Sequence, residues 1–498
     1  MNQTSPGHKS ERAFRRPGWA AERGSALPTV LVFVLVVSVT VGLVLLVQVL
    51  QDRFIRRDVQ HLQARYAAEA GVYRALSDLE GSLRSLRATY DLPGAARCSV
   101  QVEPFGGFAR VYAWGQARGE EARLRALAGE KPPSAFRFAL LLGDVQSSFT
   151  LTGAATIYGS VVVGPRGVER SDFRGKPFTG TLKGEVRRKG TASVPAYDTT
   201  VYHRTARRAE RLLETPPEER GASGKTPSIQ SASSRNGGGP IRPNPLRPAD
   251  RPSAAGSSGS LWTRGRRVRV ADGDLTLTEA DSSFLRGPAL IIAKGTLALR
   301  GSLRAAPGSV FLADSSLSIG DMVRGRGALF YARDTLRVGG TARLSGQFLS
   351  RSYVGIRGEA RLRYPSVTHV ARPEGRIRIG EQARVDGLVL HPSTPPSGGQ
   401  GREVIVEGSA MVRGGIYNRS ETTLWGQVSG SVLTGQIGFY RSPTHYVGWL
   451  KDGTIRRPTR PENFVVPYGF EKSSRPAVLG WNVLNRDAAP SPQRRGPR

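Results

Sequence analysis

A repeat with a period near 20 residues constrains the fold of this chain more than any other feature of its sequence. Each copy begins with two apolar residues separated by one other residue, and glycine follows one or two positions later. Successive copies start 20, 19, 18, 23 and 27 residues apart. The six clearest copies occupy 297–308, 317–327, 336–346, 354–364, 377–387 and 404–414.

This repeat predicts a β-solenoid, because the copies alternate like strands and are too rich in glycine for helical repeats. The fold class is therefore mainly β, with a right-handed parallel β-helix over 262–441 and glycines at corners that need a positive φ. The residues predicted to stack as the inward ladder are Leu297, Leu299, Leu317, Ile319, Leu336, Val338, Val354, Ile356, Ile377 and Ile379.

Shorter segments resemble the repeat less closely. Residues 275–284 read as an earlier copy, 424–432 as a later one, and 149–164 as a detached first copy within solenoid-like strands at 136–200. Two regions fall outside the pattern. A basic helix and a disordered insertion are predicted at 201–260. A Pro-rich basic tail is predicted at 442–498, and its end, "SPQRRGPR", should be loose.

An uncharged run from Ser25 to Leu50 follows a basic leader at 1–24. As a helix this run is about 39 Å long, which is enough to span a bilayer. Residues 51–92 continue it as an amphipathic helix that "DLPG" at 91–94 ends. The packing stripe predicted on this half includes Ile55, Val59, Leu62, Tyr66, Tyr73 and Leu76.

The leader, the glycine and the two-part helix resemble the N-terminus of type IV pilins and pseudopilins, in particular the PilX or GspK group of minor pilins. The residues that carry the resemblance are "RGSALPTVLVF" (23–33) and "ARYAAEAGVYRAL" (64–76). It implies cleavage by a prepilin peptidase between Gly24 and Ser25. The fifth mature residue would be Thr29 where major pilins carry glutamate, which implies a minor or tip subunit. An ordinary signal anchor is the alternative.

Residues 98–130 read as three strands with turns at "FGG" and "ARGEE". A helix on a short antiparallel sheet is the pilin head arrangement, so this segment agrees with the resemblance. The alternative is a small β-meander that belongs to the solenoid domain.

The net charge of +32 favours anionic partners, with 63 arginines among the 72 basic residues. The membrane, other pilin subunits, and an anionic polysaccharide or DNA are the expected partners. A general arginine bias without a binding role explains the charge equally well. The predicted anion contacts are Arg264, Arg266, Arg267 and Arg269.

Catalytic patterns are scarce in the sequence. Its six histidines are scattered, so no metal site and no cofactor are expected, and the nearest carboxylate pair is Asp272 and Asp274. We expect a non-enzymatic surface protein for adhesion or assembly, held in a bacterial inner membrane with a cytoplasmic N-terminus. The alternatives are a signal-anchored, carbohydrate-active β-helix enzyme and a bactofilin-like scaffold.

Overall fold

The computed structural model confirms the fold class: a long N-terminal helix, a small antiparallel sheet and a large parallel sheet that coils as a solenoid. The chain divides into two compact units, residues 1–63 and 64–498. The residues that the structure describes are 26–79, 82–94, 96–143, 148–190, 194–215, 266–392, 403–457, 464–470 and 476–483. The predicted leader 1–24 and most of the predicted insertion 201–260 lie outside them.

Helix α1 spans Ala26–Asp78. The apolar side chains of its uncharged part are exposed, and it is the one helix among the described residues that is long and apolar enough to cross a membrane. The prediction of helix as far as residue 92 was wrong. Residues Leu86–Leu92 form strand β1 instead, because this alternating segment pairs with the strand that follows, and "DLPG" makes the hairpin turn between them.

The head is a five-stranded antiparallel sheet in the order β1-β2-β3-β4-β32. Its further strands are β2 (Ala96–Phe105), β3 (Phe108–Ala117), β4 (Glu120–Glu130) and β32 (Pro476–Val483). The last turns of α1 cover one face of this sheet through Ala68, Val72 and Leu76. Strand β32 comes from the predicted Pro-rich tail and closes the head by pairing with β4. The end of the tail, which is predicted to be loose, lies outside the described residues.

All other strands belong to the solenoid region. They are β5 (Leu140–Leu142), β6 (Phe149–Thr152), β7 (Thr156–Tyr158), β8 (Val161–Val163), β9 (Val168–Arg170), β10 (Thr181–Lys183), β11 (Val186–Arg188), β12 (Arg267–Ala271), β13 (Leu275–Leu277), β14 (Ala289–Ala293), β15 (Leu297–Leu299), β16 (Arg304–Ala305), β17 (Val310–Ala313), β18 (Ser316–Ile319), β19 (Arg324–Ala332), β20 (Thr335–Val338), β21 (Arg343–Ser350), β22 (Tyr353–Ile356), β23 (Arg361–Val370), β24 (Arg376–Ile379), β25 (Arg384–His391), β26 (Glu403–Val406), β27 (Met411–Leu424), β28 (Gln427–Arg441), β29 (Thr444–Val447), β30 (Trp449–Lys451) and β31 (Thr454–Arg456). Short 3-10 helices lie at Ser134–Arg137 and Glu279–Arg286, and helix α2 spans Thr200–Glu214.

The solenoid strands stack in three parallel columns, which we call its faces. The covered face contains β12, β14, β17 and the second halves of β19, β21, β23 and β25. The arginine face contains β16 and the first halves of β19, β21, β23 and β25. The third face contains β13, β15, β18, β20, β22, β24 and β26.

The predicted ladder lies on the third face. Leu297, Leu317, Leu336, Val354 and Ile377 stack in register, one per turn, and Leu299, Ile319, Val338, Ile356 and Ile379 form a second column beside them. All ten side chains are buried in the central core. Glycine has the positive φ at the corners that contain Gly301, Gly340 and Gly358, whereas Met322 and Gln382 take it in other turns.

The covered face is apolar on both sides, as in "ALIIA" of β14 and "VFLA" of β17. Strands buried on both sides read as continuous apolar runs, and strands with one wet side alternate. The outer side is covered by Phe105 and Phe108 of the head and by Tyr202 and Leu212 of α2. Helix α2 is the described part of the predicted basic helix at 201–220.

The stacking order differs from the order along the chain. Residues 149–164, predicted as a detached first copy, do not precede the main array. Strands β5 and β31 pair with β28, the last long strand, and β8, β7, β11 and β10 continue outward from them. The repeat pattern shows which segments are alike but not which one stacks on which.

Candidate functional site

The inner side of α1 approaches the head sheet closely, because its contact residues are small. A Cβ atom on Gly71 would lie 2.1 Å from the Cys98 Sγ, and one on Gly115 would lie 2.0 Å from the Ala64 carbonyl oxygen. The Cys98 thiol is fully buried and donates toward the Ala68 carbonyl oxygen. Burial raises the pKa of this thiol to about 12. This contact fixes the end of α1 on the head.

The outer side of α1 carries most of the predicted packing stripe. Tyr66 and Tyr73 are 59% and 58% exposed, and Ile55, Val59 and Leu62 are exposed as well. Leu76 is the exception, since it is 2% exposed and packs in the head core. The three- and four-residue steps grouped Leu76 with the outer residues, and at 3.6 residues per turn it lies about 60° from Tyr73, at the edge of the stripe. The head packs against this edge and buries Leu76.

The start of the helix is described only in part. Gly24 and Ser25 lie outside the described residues, and Thr29 lies in the first turns of α1 with an exposed side chain. Pro28 is compatible with this position, because the first N–H groups of a helix have no intrahelical partner. Further along, the Thr40 hydroxyl donates to the Val36 carbonyl oxygen at 2.8 Å, so this polar group is satisfied within the apolar half.

The predicted anion contacts are engaged within the chain. Arg266 Nε donates to the Gly308 carbonyl oxygen at 3.1 Å, Arg267 donates to the Ser283 carbonyl oxygen at 2.8 Å, and Arg269 forms an ion pair with Asp281. Arg264 lies outside the described residues. These arginines hold the first turn of the solenoid together and do not form one cluster that faces solvent.

The carboxylate pair Asp272 and Asp274 has structural contacts. Asp272 forms an ion pair with Lys294 at 2.8 Å, and Asp274 accepts the Thr296 backbone N–H at 2.6 Å. Both bonds join one turn of the solenoid to the next. Among the described residues, no group of three or more metal-ligating side chains occurs.

The structure brings together a set of arginines that the sequence analysis did not single out. Arg304, Arg324, Arg343, Arg361 and Arg384 occupy the same position in successive turns and pair directly in register. All five side chains point outward and are exposed. We call them the arginine row. Arginine does recur at one place in the aligned repeats, and this signal could have revealed the row.

No protein-family model matches the chain, and no curated protein matches it. Among solved structures, the chain is similar to the competence-associated pilin ComZ from Thermus thermophilus, with 13% sequence identity and a TM-score of 0.18. The alignment covers 85% of this chain and 97% of the ComZ chain. A TM-score this low carries no inference about function.

Proposed function

We propose that the protein is a minor pilin-like subunit of the PilX or GspK type, anchored in a bacterial inner membrane with a cytoplasmic N-terminus. It acts without catalysis and displays its solenoid for adhesion or assembly. The observation that carries this proposal is that the two halves of α1 have different surroundings. Its first half is uncharged with exposed apolar side chains, and its end packs on an antiparallel head through small residues.

We call the exposed residues of the predicted packing stripe the outer stripe of α1: Ile55, Val59, Leu62, Tyr66 and Tyr73. In this proposal, the outer stripe supplies the contact with other subunits. Tyr66 and Tyr73 leave apolar rings exposed although the inner side of the same helix is fully packed. Burying such rings against neighbouring helices would stabilise an assembly, since each large apolar side chain contributes roughly 1.5–3 kcal/mol when fully buried. Thr29 offers no carboxylate for a neighbour's terminal amine, which suits a subunit present in few copies.

The mature N-terminus tests the proposal. The protein is purified from its native membrane, and its mass and first residues are determined by mass spectrometry. We expect a chain that begins at Ser25, and a full-length chain in cells without prepilin peptidase or in the Gly24→Val variant. A signal-anchored enzyme or a bactofilin-like scaffold would keep residues 1–24, and that result would refute the pilin-like assignment.

Cross-linking tests the outer stripe separately. A Tyr73→Cys variant should form cross-links to other pilin subunits in intact cells. Thr89→Cys is a matched control, because residue 89 is also exposed but lies on strand β1 of the head. Equal cross-linking at both positions would show that α1 makes no specific subunit contact.

A further inference from the structure

The arginine row is a straight line of positive charge, and of its five members the Asp386 carboxylate attracts Arg384, the last one. Neighbouring strands of a sheet lie about 4.8 Å apart, so five side chains in register span roughly 19 Å. Arg304, Arg324, Arg343 and Arg361 have neither an ion pair nor a side-chain hydrogen bond with any described residue. Like charges repeated at this spacing repel one another, so the row favours an anionic ligand that lies along it.

A cavity of about 820 Å³ opens beside the row. Six arginines line it and no carboxylate or aromatic side chain does: Arg286, Arg304, Arg324, Arg326, Arg343 and Arg363. The charge therefore surrounds a concave space and is not spread over a flat surface. A concave site lined by one sign of charge concentrates counter-ions more strongly than an open surface.

A second cavity of about 570 Å³ continues the first toward the head. The two share Arg326 and Arg363, and the head contributes Arg110 and Arg125 to the second. Burial, and after it the positive charge of Arg110, lowers the pKa of the nearby Arg266 to about 10. The positive charge thus extends from the row to the junction of solenoid and head.

The third face of the solenoid provides the contrast. Two of its arginines have partners within the chain, since Arg378 forms an ion pair with Glu407 and Arg337 lies over the ring of Tyr353. The arginines of this face are exposed as well, but a carboxylate lies among them. At the far end of the row, Asp386 forms an ion pair with Arg413, and beyond Arg384 the column continues with Met411, which is uncharged. The row has a defined length.

We propose that the arginine row and the cavity beside it bind a linear acidic polysaccharide that carries one carboxylate on every sugar ring. Each guanidinium would bind a carboxylate through two parallel hydrogen bonds. A uronic acid chain is extended and carries its carboxylates at the density of one per sugar ring, so it can lie along the row and place several carboxylates against guanidinium groups. Duplex DNA fits the row less well, because its phosphates wind around the helix axis at a density of one charge per about 1.7 Å. Single-stranded nucleic acid generally needs aromatic stacking platforms, and the cavity beside the row offers none. Two aromatic rings line the second cavity, but Arg110 lies over the ring of Phe105 and the ring of Tyr364 packs against Phe464.

Binding of fluorescent polygalacturonate oligomers to the full chain in detergent micelles tests the proposal. Affinity should rise with oligomer length and level off once the oligomer spans the roughly 19 Å of the row. The triple variant Arg324→Ala/Arg343→Ala/Arg361→Ala lacks three exposed guanidinium–carboxylate contacts with the oligomer. It should therefore bind roughly tenfold more weakly. The matched control, Arg337→Ala/Arg357→Ala/Arg376→Ala, removes the same charge from the third face, and there the change should stay under about twofold.

Three outcomes would overturn the proposal. Equal losses in the two triple variants would show that net charge alone attracts the oligomer. Tighter binding of duplex DNA of matched charge through the same row would assign the site to nucleic acid. No binding at physiological salt would remove the site altogether. Protection of Cys98 from a thiol reagent verifies that each variant is folded. Because the site lies within residues 64–498, the result is independent of processing at Gly24.

Discussion

Replacing Gly71 by alanine sets two physical effects against each other. In an isolated helix, alanine is more favourable than glycine by about 1 kcal/mol. In this protein, the new methyl group would lie 2.1 Å from the Cys98 Sγ and 3.1 Å from a methyl carbon of Val100. Carbon and sulfur atoms pack at separations near 3.5–4.0 Å. The helix therefore has to move away from the sheet by more than about 1 Å to admit the methyl group.

Overpacking of this kind costs about 1–3 kcal/mol, and the severity of the overlap places Gly71→Ala in the upper half of that range. After the gain in helix propensity is subtracted, the head should lose about 1–2 kcal/mol of stability. A loss of this size raises the population of the open head roughly 5- to 30-fold.

The single cysteine of the chain makes this opening measurable. Cys98 is fully buried, so a maleimide reaches it only when α1 separates from the head. The labelling rate of the full chain in detergent micelles, followed by intact mass, should rise roughly 5- to 30-fold in Gly71→Ala. Gly42→Ala is the control, because a Cβ at residue 42 meets nothing within 4 Å, and its labelling rate should not change.

A second comparison separates the clash from other effects. In a Cys98→Ala background the sulfur is absent, and Gly71→Ala should cost less stability, as measured by hydrogen exchange of the head amides. Unchanged or slower labelling of Cys98 in Gly71→Ala would refute the close approach of α1 to the sheet, because helix propensity alone would then decide the outcome.

Three further predictions concern the core, the interface and pH. Phe330 stacks between Phe311 and Phe348 with ring centroids 5.0 Å apart on each side, so Phe330→Ala should lower the unfolding free energy in urea by about 3–5 kcal/mol; a loss below 1 kcal/mol would contradict the stack. The Gln347 side chain accepts the Gly107 N–H at 2.7 Å and donates to the Phe105 carbonyl oxygen. Gln347→Ala should therefore cost about 1–3 kcal/mol and speed hydrogen exchange at Gly107, and unchanged exchange there would argue against this bond between head and solenoid. Burial lowers the pKa of His369 to about 3, with a smaller contribution from His391. Because this folded pKa lies below the usual value, the unfolded chain takes up the proton more readily than the folded protein does. The free energy of unfolding is therefore highest above about pH 6.5 and falls as pH falls toward 3. In the His369→Gln variant, the urea midpoint of unfolding should depend less on pH in this range. A variant whose midpoint falls as steeply with acid as that of the wild type would contradict the role given to His369.

Strand alternation and repeat spacing were enough to predict the solenoid and its ladder, because one buried position per turn recurs at a fixed place in each copy. Spacing could not predict the end of α1. The segment Leu86–Leu92 suits either a helix or a strand, and pairing with β2 decides in favour of the strand. Nor could it predict the role of Gly71, since the short distance to Cys98 is formed by residues far apart in sequence.

The sequence likewise predicted some features of the candidate sites and missed others. Exposed residues of the outer stripe of α1 followed from helical periodicity, whereas the inward turn of Leu76 depends on the head that packs there. The arginines at 266–269 looked like a ligand site because they are dense in sequence. The arginine row is sparse in sequence, at one residue per turn, and becomes a cluster only when the turns are stacked.

The stacking of β5, β7 and β8 beyond β28 has a consequence for synthesis. A chain that leaves the ribosome N-terminus first must hold residues 140–188 without β28 and β31, the strands on which they stack, until residues 427–456 have been made. Strand β4 waits in the same way for β32. Contacts so distant along the chain form slowly, and the unpaired strand edges are open to wrong partners in the meantime. These edges therefore need shielding until residues 427–456 are in place, and a chain cut short before residue 427 should be degraded.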